Sequence, residues 1–268
     1  MDDYLKNRPH GVTKFRAPKR RDFMRALRAG AVDMVRYPAF ALVFAGAFVI
    51  IGLAISTLTY ASGQSYWLVL AVMGFPMVGS LAALGFYLIS WQHHRGRPIT
   101  MWGILRAIWA LKNGQVPWLA VIIVVMLLFW FFLGHMLFAL FLGLQPMVNI
   151  SSSAEVFLSG NGLTMLALGT GVGAVFSTLI FSMTLFGLPM LIDRDVDFMT
   201  AGLASITQVM AYPVPYIIWG AVIGLATITA IIPAFLGMFI VLPLFGHATW
   251  HLYKIQQISD HARPQKSG

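Results

Sequence analysis

Apolar residues gather in six long runs, 39–60, 66–91, 117–145, 163–192, 213–232 and 233–253. Each is near or above the ~20 residues that a membrane-spanning helix needs. A shorter stretch with helical apolar spacing precedes three of them. In the first, Phe23, Leu27, Ala31, Met34 and Val35 recur at helical intervals while Arg25, Arg28 and Arg36 take polar positions, the pattern of a helix lying in the membrane interface. Proline opens the run that follows, at Pro38, Pro117 and Pro213, where its missing N–H is one that would have had no intrahelical partner. The pattern predicts an all-α integral membrane protein. Six transmembrane helices form three hairpins, each preceded by a cytoplasmic interfacial amphipathic helix.

An internal repeat supports the same organisation. Asp22, Phe23, Met24, Tyr37 and Pro38 recur without insertion as Asp197, Phe198, Met199, Tyr212 and Pro213. A weaker copy aligns Trp102 with Phe23 and Phe198, and Pro117 with Pro38 and Pro213. The predicted units are residues 22–99, 100–196 and 197–254, a six-span domain over 22–254 packed with pseudo-threefold symmetry. It is flanked by a basic tail, 1–21, expected to be flexible and lipid-facing, and a C-terminal tail, 255–268.

Charge orients the bundle. All 18 Lys and Arg residues fall before the first run, between the second and third, between the fourth and fifth, or after the sixth. Positive charge stays on the cytoplasmic side, so both termini are expected in the cytoplasm of a bacterial inner membrane. The opposite loops carry only Glu155, which leaves no room for a large external catalytic domain. The net charge of +9 follows from this topology and from attraction to anionic lipid, and does not call for nucleic acid. With no Cys in the chain, disulfides and thiolate chemistry are ruled out.

Candidate sites follow from residues that are unusual in their setting. Gly169 and Gly173, and Gly220 and Gly224, stand at GxxxG spacing and suggest helix packing through small residues. Pro76, Pro189 and Pro243 lie within return helices, where they are expected to bend them. No Asp, Glu, Lys or Arg lies deep in a run, which argues against an ion pump, since such residues mark ion pathways. His135 is the deep ionisable exception. At the cytoplasmic ends stand His93 and His94; Asp193, Arg194, Asp195 and Asp197; and His247 and His251. The last pair sits four residues apart on one helical face, a spacing that lets two imidazoles reach one metal. His247, His251, Asp193 and Asp195 are therefore the metal candidates, against the plainer reading of ion pairs and helix caps. Phe23, Leu27, Arg25, Arg28, Trp102, Trp109 and Phe198 on the short helices are the residues expected to meet lipid or a partner. Ser177, Thr178, Ser182 and Thr184 are those that would line a path through the bundle.

The runs Leu188, Pro189, Met190, Leu191, Ile192, Asp193, Arg194, Asp195, Val196, Asp197 and Pro243, Leu244, Phe245, Gly246, His247, Ala248, Thr249, Trp250, His251 resemble signatures of an uncharacterised proteobacterial inner-membrane family, a domain of unknown function. The resemblance extends from about Asp22 to Lys254. Members are often labelled as resembling cytochrome c oxidase subunit I, which implies association with respiratory complexes. The residues do not support oxidase chemistry: a haem and copper core needs about six imidazoles in set positions. Of seven His here, His10 and His261 lie in tails and His93 and His94 at a loop.

With no acid/base pair, nucleophile constellation or phosphate loop in the sequence, the expected function is non-enzymatic. It is an accessory or assembly partner of a respiratory or comparable membrane complex, whose partners are membrane lipids and other integral membrane proteins. The alternative is a transporter or channel for a small solute or amphiphile; a weaker one is metal or haem binding at the histidines. No cofactor is predicted otherwise.

Overall fold

The computed structural model describes residues 8–63, 78–143 and 155–258. Its helices are α1 (Arg20–Arg36), α2 (Pro38–Ala61), α3 (Leu84–His94), α4 (Met101–Leu111), α5 (Val116–Leu142), α6 (Gly160–Asp193), α7 (Phe198–Ala211), α8 (Pro213–Ile231) and α9 (Met238–Gln256). The first part of the second apolar run, with Pro76, residues 144–154 of the loop before α6, the first seven residues and the end of the C-terminal tail with His261 lie outside the described residues. Among the described residues, α2, α5, α6 and α8 are long and apolar enough to cross a membrane. The sixth apolar run forms α9, whose second half carries His247, Thr249, His251 and Lys254 and is correspondingly less apolar.

The short helices α1, α4 and α7 stand where the amphipathic stretches predict them, and each is followed by a long helix with proline in its first turn. Local caps set their starts. Thr100 accepts from the Gly103 N–H for α4, and Asp197 from the Thr200 N–H at 2.8 Å for α7, each satisfying one of the orphan donors of a first turn.

The face by which α1 packs is not the one read from its apolar spacing. Its buried positions are Asp22, Ala26, Gly30 and Asp33, a stripe of small and acidic residues laid along α9. A Cβ on Gly30 would lie 2.7 Å from the Ala248 nitrogen and 2.8 Å from the Leu244 carbonyl oxygen, so the two backbones touch there. Phe23 and Leu27 pack against the core, Phe23 with ring centroids 5.6 Å from Trp219 and 6.0 Å from Tyr216. Arg25 and Arg28 point outward, as do Trp102 and Trp109 on α4. Phe198 is half-buried and stacks on Trp118.

Around α9 gather α1, α2, α3, α6 and α8. A second close pairing joins α6 to α7, where Gly187 faces the Ala201 and Gly202 backbone. Here the Ser205 hydroxyl accepts from the Phe186 N–H at 3.0 Å and donates to the Ser182 carbonyl at 2.6 Å. It occupies the place of an i→i−4 hydrogen bond one turn before Pro189, the kind of insertion that accompanies a local bend.

The segment 8–19 is not a free tail. It runs across the C-terminal ends of α6 and α9, exchanging backbone hydrogen bonds with Asp195 and with Gln256 and Ile258. Phe15 is set 4.7 Å from the Phe186 ring, and Thr13 is fully covered. Composition alone reads as a solvated basic tail; the tertiary contacts make it a strap.

Candidate functional site

Two regions of the bundle hold polar or open structure. The first lies inside the membrane-spanning part. α6 and α8 diverge, leaving a groove of about 440 Å³ lined by Thr170, Gly173, Ser177, Thr178, Gly220 and Gly224 among mostly aliphatic neighbours. Phe181 and Ile223 line both this groove and a smaller cavity of about 80 Å³. Into that cavity face Ser80, Tyr87, Thr184, Thr227 and Thr249. Thr184 and Thr227 donate to the carbonyls of Ile180 and Ile223 on their own helices, both at 2.8 Å, the usual habit of hydroxyls on helices in apolar surroundings. Tyr87 pairs with Thr249. Ser80 Oγ is buried with no hydrogen-bond partner.

Of the glycines expected at helix crossings, a Cβ on Gly173 would lie 3.1 Å from the Trp130 ring, one on Gly220 3.1 Å from the Phe181 ring and one on Gly169 3.9 Å from the Leu137 side chain, while a Cβ on Gly224 would meet nothing within 4 Å. They receive side chains or open space rather than a neighbouring backbone. The close backbone approach is at Gly30 instead. Ser177 and Thr178 line the groove and Thr184 the inner cavity; Ser182 is occupied by Ser205 through its carbonyl.

The second region lies where α3, α6 and α9 end. Asp33 of α1 is 3% exposed and meets donors from two other helices. Its Oδ2 accepts from Ser90 Oγ of α3 at 2.7 Å and from His251 Nε2 of α9 at 2.8 Å, with His247 Nδ1 at 3.9 Å. Ser90 Oγ also lies 2.7 Å from His247 Nδ1. With Asp33 ionised, Ser90 spends its one proton on the carboxylate, so His247 Nδ1 carries a proton and donates to Ser90. Burial pushes the Asp33 carboxyl up, but the hydrogen bonds from His251 and Ser90 and the charges of both histidines outweigh it and hold it below the ordinary aspartate value. The Ser, His and Asp here do not form a nucleophile relay: the Ser hydroxyl donates to the carboxylate and is 1% exposed.

The other polar residues at this end separate into clusters of their own. Asp193 accepts from Tyr253 Oη and Lys254 Nζ, both at 3.1 Å, with Arg95 at 4.0 Å. Asp195 pairs with His10 at 3.0 Å and Arg8 at 3.7 Å. Buried Arg194 donates from Nε to the Gly11 carbonyl at 2.7 Å. His93 accepts from Arg36 through Nε2 and donates through Nδ1 to Tyr37 Oη, both at 2.9 Å. His247 and His251 thus meet Asp33 rather than Asp193 or Asp195. Among the described residues no group of three or more His, Cys, Asp or Glu is arranged to hold a metal ion. Arg16 clamps Asp22 with two hydrogen bonds of 2.8 and 2.9 Å. Burial raises the Asp22 carboxyl, but that clamp and the Lys19 N–H bring it below the ordinary value.

Asp33 and Ser90 were not candidates from sequence. The available signal was the stripe Asp22, Ala26, Gly30, Asp33 on one face of α1, opposite its arginines. A pair of acids sharing a face with only small residues marks a buried crossing rather than a wet surface.

Residues 68–193 match the model of a family described as a predicted integral membrane protein (DUF2189), a domain of unknown function. The match bears out the family resemblance and ends at Asp193, inside the motif that runs from Leu188 to Asp197; the motif around His247 lies beyond it. No curated protein and no solved structure was found to be similar.

Proposed function

We propose that the chain is a non-enzymatic six-span protein of a bacterial inner membrane, both termini cytoplasmic and the three hairpins related as pseudo-repeats. We propose further that it takes an apolar or amphiphilic small molecule from the bilayer into the bundle. The groove between α6 and α8 carries this reading. Helices in lipid gain association from close packing, and two spans that leave about 440 Å³ between them forgo that gain unless something fills the space. The size lies within the ~300–1,000 Å³ of small-molecule sites, and the mostly apolar lining with a few polar groups is typical of them.

The test is purification in mild detergent followed by extraction and mass spectrometry of bound small molecules, with Gly220→Leu beside the unaltered protein. A copurifying apolar molecule that Gly220→Leu loses supports the reading. Protein that comes clean, and that photoreactive hydrocarbons in native membranes do not label in the groove, overturns it.

The accessory or assembly role is favoured by a different observation. Trp102 and Trp109 are 74% and 60% exposed on the 11-residue helix α4, an aromatic face suited to the membrane interface or to another integral protein. A respiratory or other complex recovered in stoichiometric amounts with the natively expressed protein, and lost from the double variant Trp102→Ala/Trp109→Ala, supports that role. Recovery of the protein alone counts against it.

A further inference from the structure

We propose that the groove and the inner cavity form one site for a neutral amphiphile with a hydroxyl head, its apolar chain between α6 and α8 and its head against Ser80. This rests on the uptake reading above and names the ligand class. The polarity of the lining runs in one direction. The groove between α6 and α8 is mostly aliphatic, whereas the inner cavity brings together the hydroxyls of Ser80, Tyr87, Thr184, Thr227 and Thr249. Phe181 and Ile223 belong to both walls, so a chain in the groove lies next to the cavity.

The hydrogen-bonding capacity left in the cavity selects the head. Thr184 and Thr227 have spent their protons on Ile180 and Ile223 and retain only acceptor lone pairs. Ser80 Oγ is buried without a partner and retains both its proton and its lone pairs. A buried hydroxyl left unsatisfied is costly, and so few of them stay unpaired that each asks for an explanation. An alcohol answers both requirements: its oxygen accepts from Ser80 and its proton goes to a threonine oxygen. A bare hydrocarbon leaves Ser80 unpaired. A carboxylate or ammonium head meets no counter-charge among the described residues, because those that line the groove and cavity include no Asp, Glu, Lys, Arg or His, and an unpaired charge at such a place is expensive. At about 80 Å³ the cavity exceeds the ~10–15 Å³ that one water requires, which is ample for a hydroxyl head.

The experiment uses the full chain in lipid nanodiscs with three photoreactive probes of equal chain length: an alkane, the corresponding 1-alcohol and the corresponding carboxylate. Peptides covering 170–181 and 217–228 are read by mass spectrometry. The alcohol is expected to label them about five- to tenfold more than the alkane, the factor that one or two net hydrogen bonds supply, and the carboxylate is expected to label least. Ser80→Ala, which removes no hydrogen bond of the protein itself, is expected to bring the alcohol down to the alkane's level without changing the alkane. Equal labelling by alcohol and alkane, or preference for the carboxylate, overturns the head assignment while leaving uptake into the groove intact. Absence of groove labelling by all three probes overturns both.

Discussion

The two halves of α6 are built by different rules. From Gly160 to Leu179 only Gly162, Met165 and Gly173 are buried, whereas from Thr184 to Asp193 every residue is. A 34-residue helix is about 51 Å long, against a hydrocarbon layer of ~30 Å, so its far end must leave the membrane. In lipid a leucine gains little by meeting another helix, because the surroundings are equally apolar; α6 therefore tolerates a groove on its outer half. At the Asp193 end, burial is driven by removal of apolar surface from water and every buried polar group needs a partner. There α7, α9 and the strap of residues 8–19 enclose the helix, and Asp22, Asp33, Asp193 and Arg194 are all paired. The protein is closely packed at that end and open along the outer half of α6.

This contrast can be broken most severely at Asp33. Asp33→Ala leaves His251 and Ser90 without their acceptor and is expected to cost about 3–5 kcal/mol, read as a fall in thermal stability in detergent. The pH dependence has a definite sign. A carboxyl whose folded pKa is depressed contributes fully above its unfolded value, ~3.9, and loses that contribution as pH falls through the folded value. The stability gap between the native protein and Asp33→Asn should therefore shrink below pH ~4; a gap that grows on acidification would contradict an ionised Asp33.

Gly30→Leu comes next, at about 3 kcal/mol, since its side chain would have to displace the α9 backbone at Ala248 and Leu244. A smaller effect, about 1–2 kcal/mol, is expected for Arg16→Gln, which removes the clamp on Asp22. Its more specific signature is faster proteolysis within residues 8–19, and an unchanged cleavage rate would show that the strap is held without that ion pair. At the bottom of the scale is Gly224→Ala, expected within ~0.5 kcal/mol of neutral because its Cβ would meet nothing within 4 Å. A large loss there would mean that α6 and α8 close on each other and that the open half is as tightly packed as the Asp193 end.

Much of the fold was legible because its signals are local. Run length, the prolines at 38, 117 and 213, and the amphipathic stretches place the long helices of the described region and the short ones before them. The packing of α1 was not legible from its hydrophobic periodicity. Phe23 and Leu27 were expected to meet lipid or a partner; within the chain they pack against the core and flank a contact made by Ala26 and Gly30. A stripe of small residues lowers the apparent hydrophobicity of the face that is in fact buried most deeply. Likewise, His247 and His251 were recognisable as a pair on one face, but their shared acceptor, Asp33, lies 218 residues from His251 in the chain.

By itself the sequence determined that this is an integral membrane protein, that its long helices are apolar and that its positive charge lies outside the long apolar runs. These properties depend on the solubility of individual segments in lipid, and solubility is a sum over neighbouring residues. Which helices touch, where a groove remains, and which acid meets which base depend on backbone crossings between distant segments. A missing Cβ at Gly30 is enough to set one of them, and only the assembled structure decides where such a gap finds its partner.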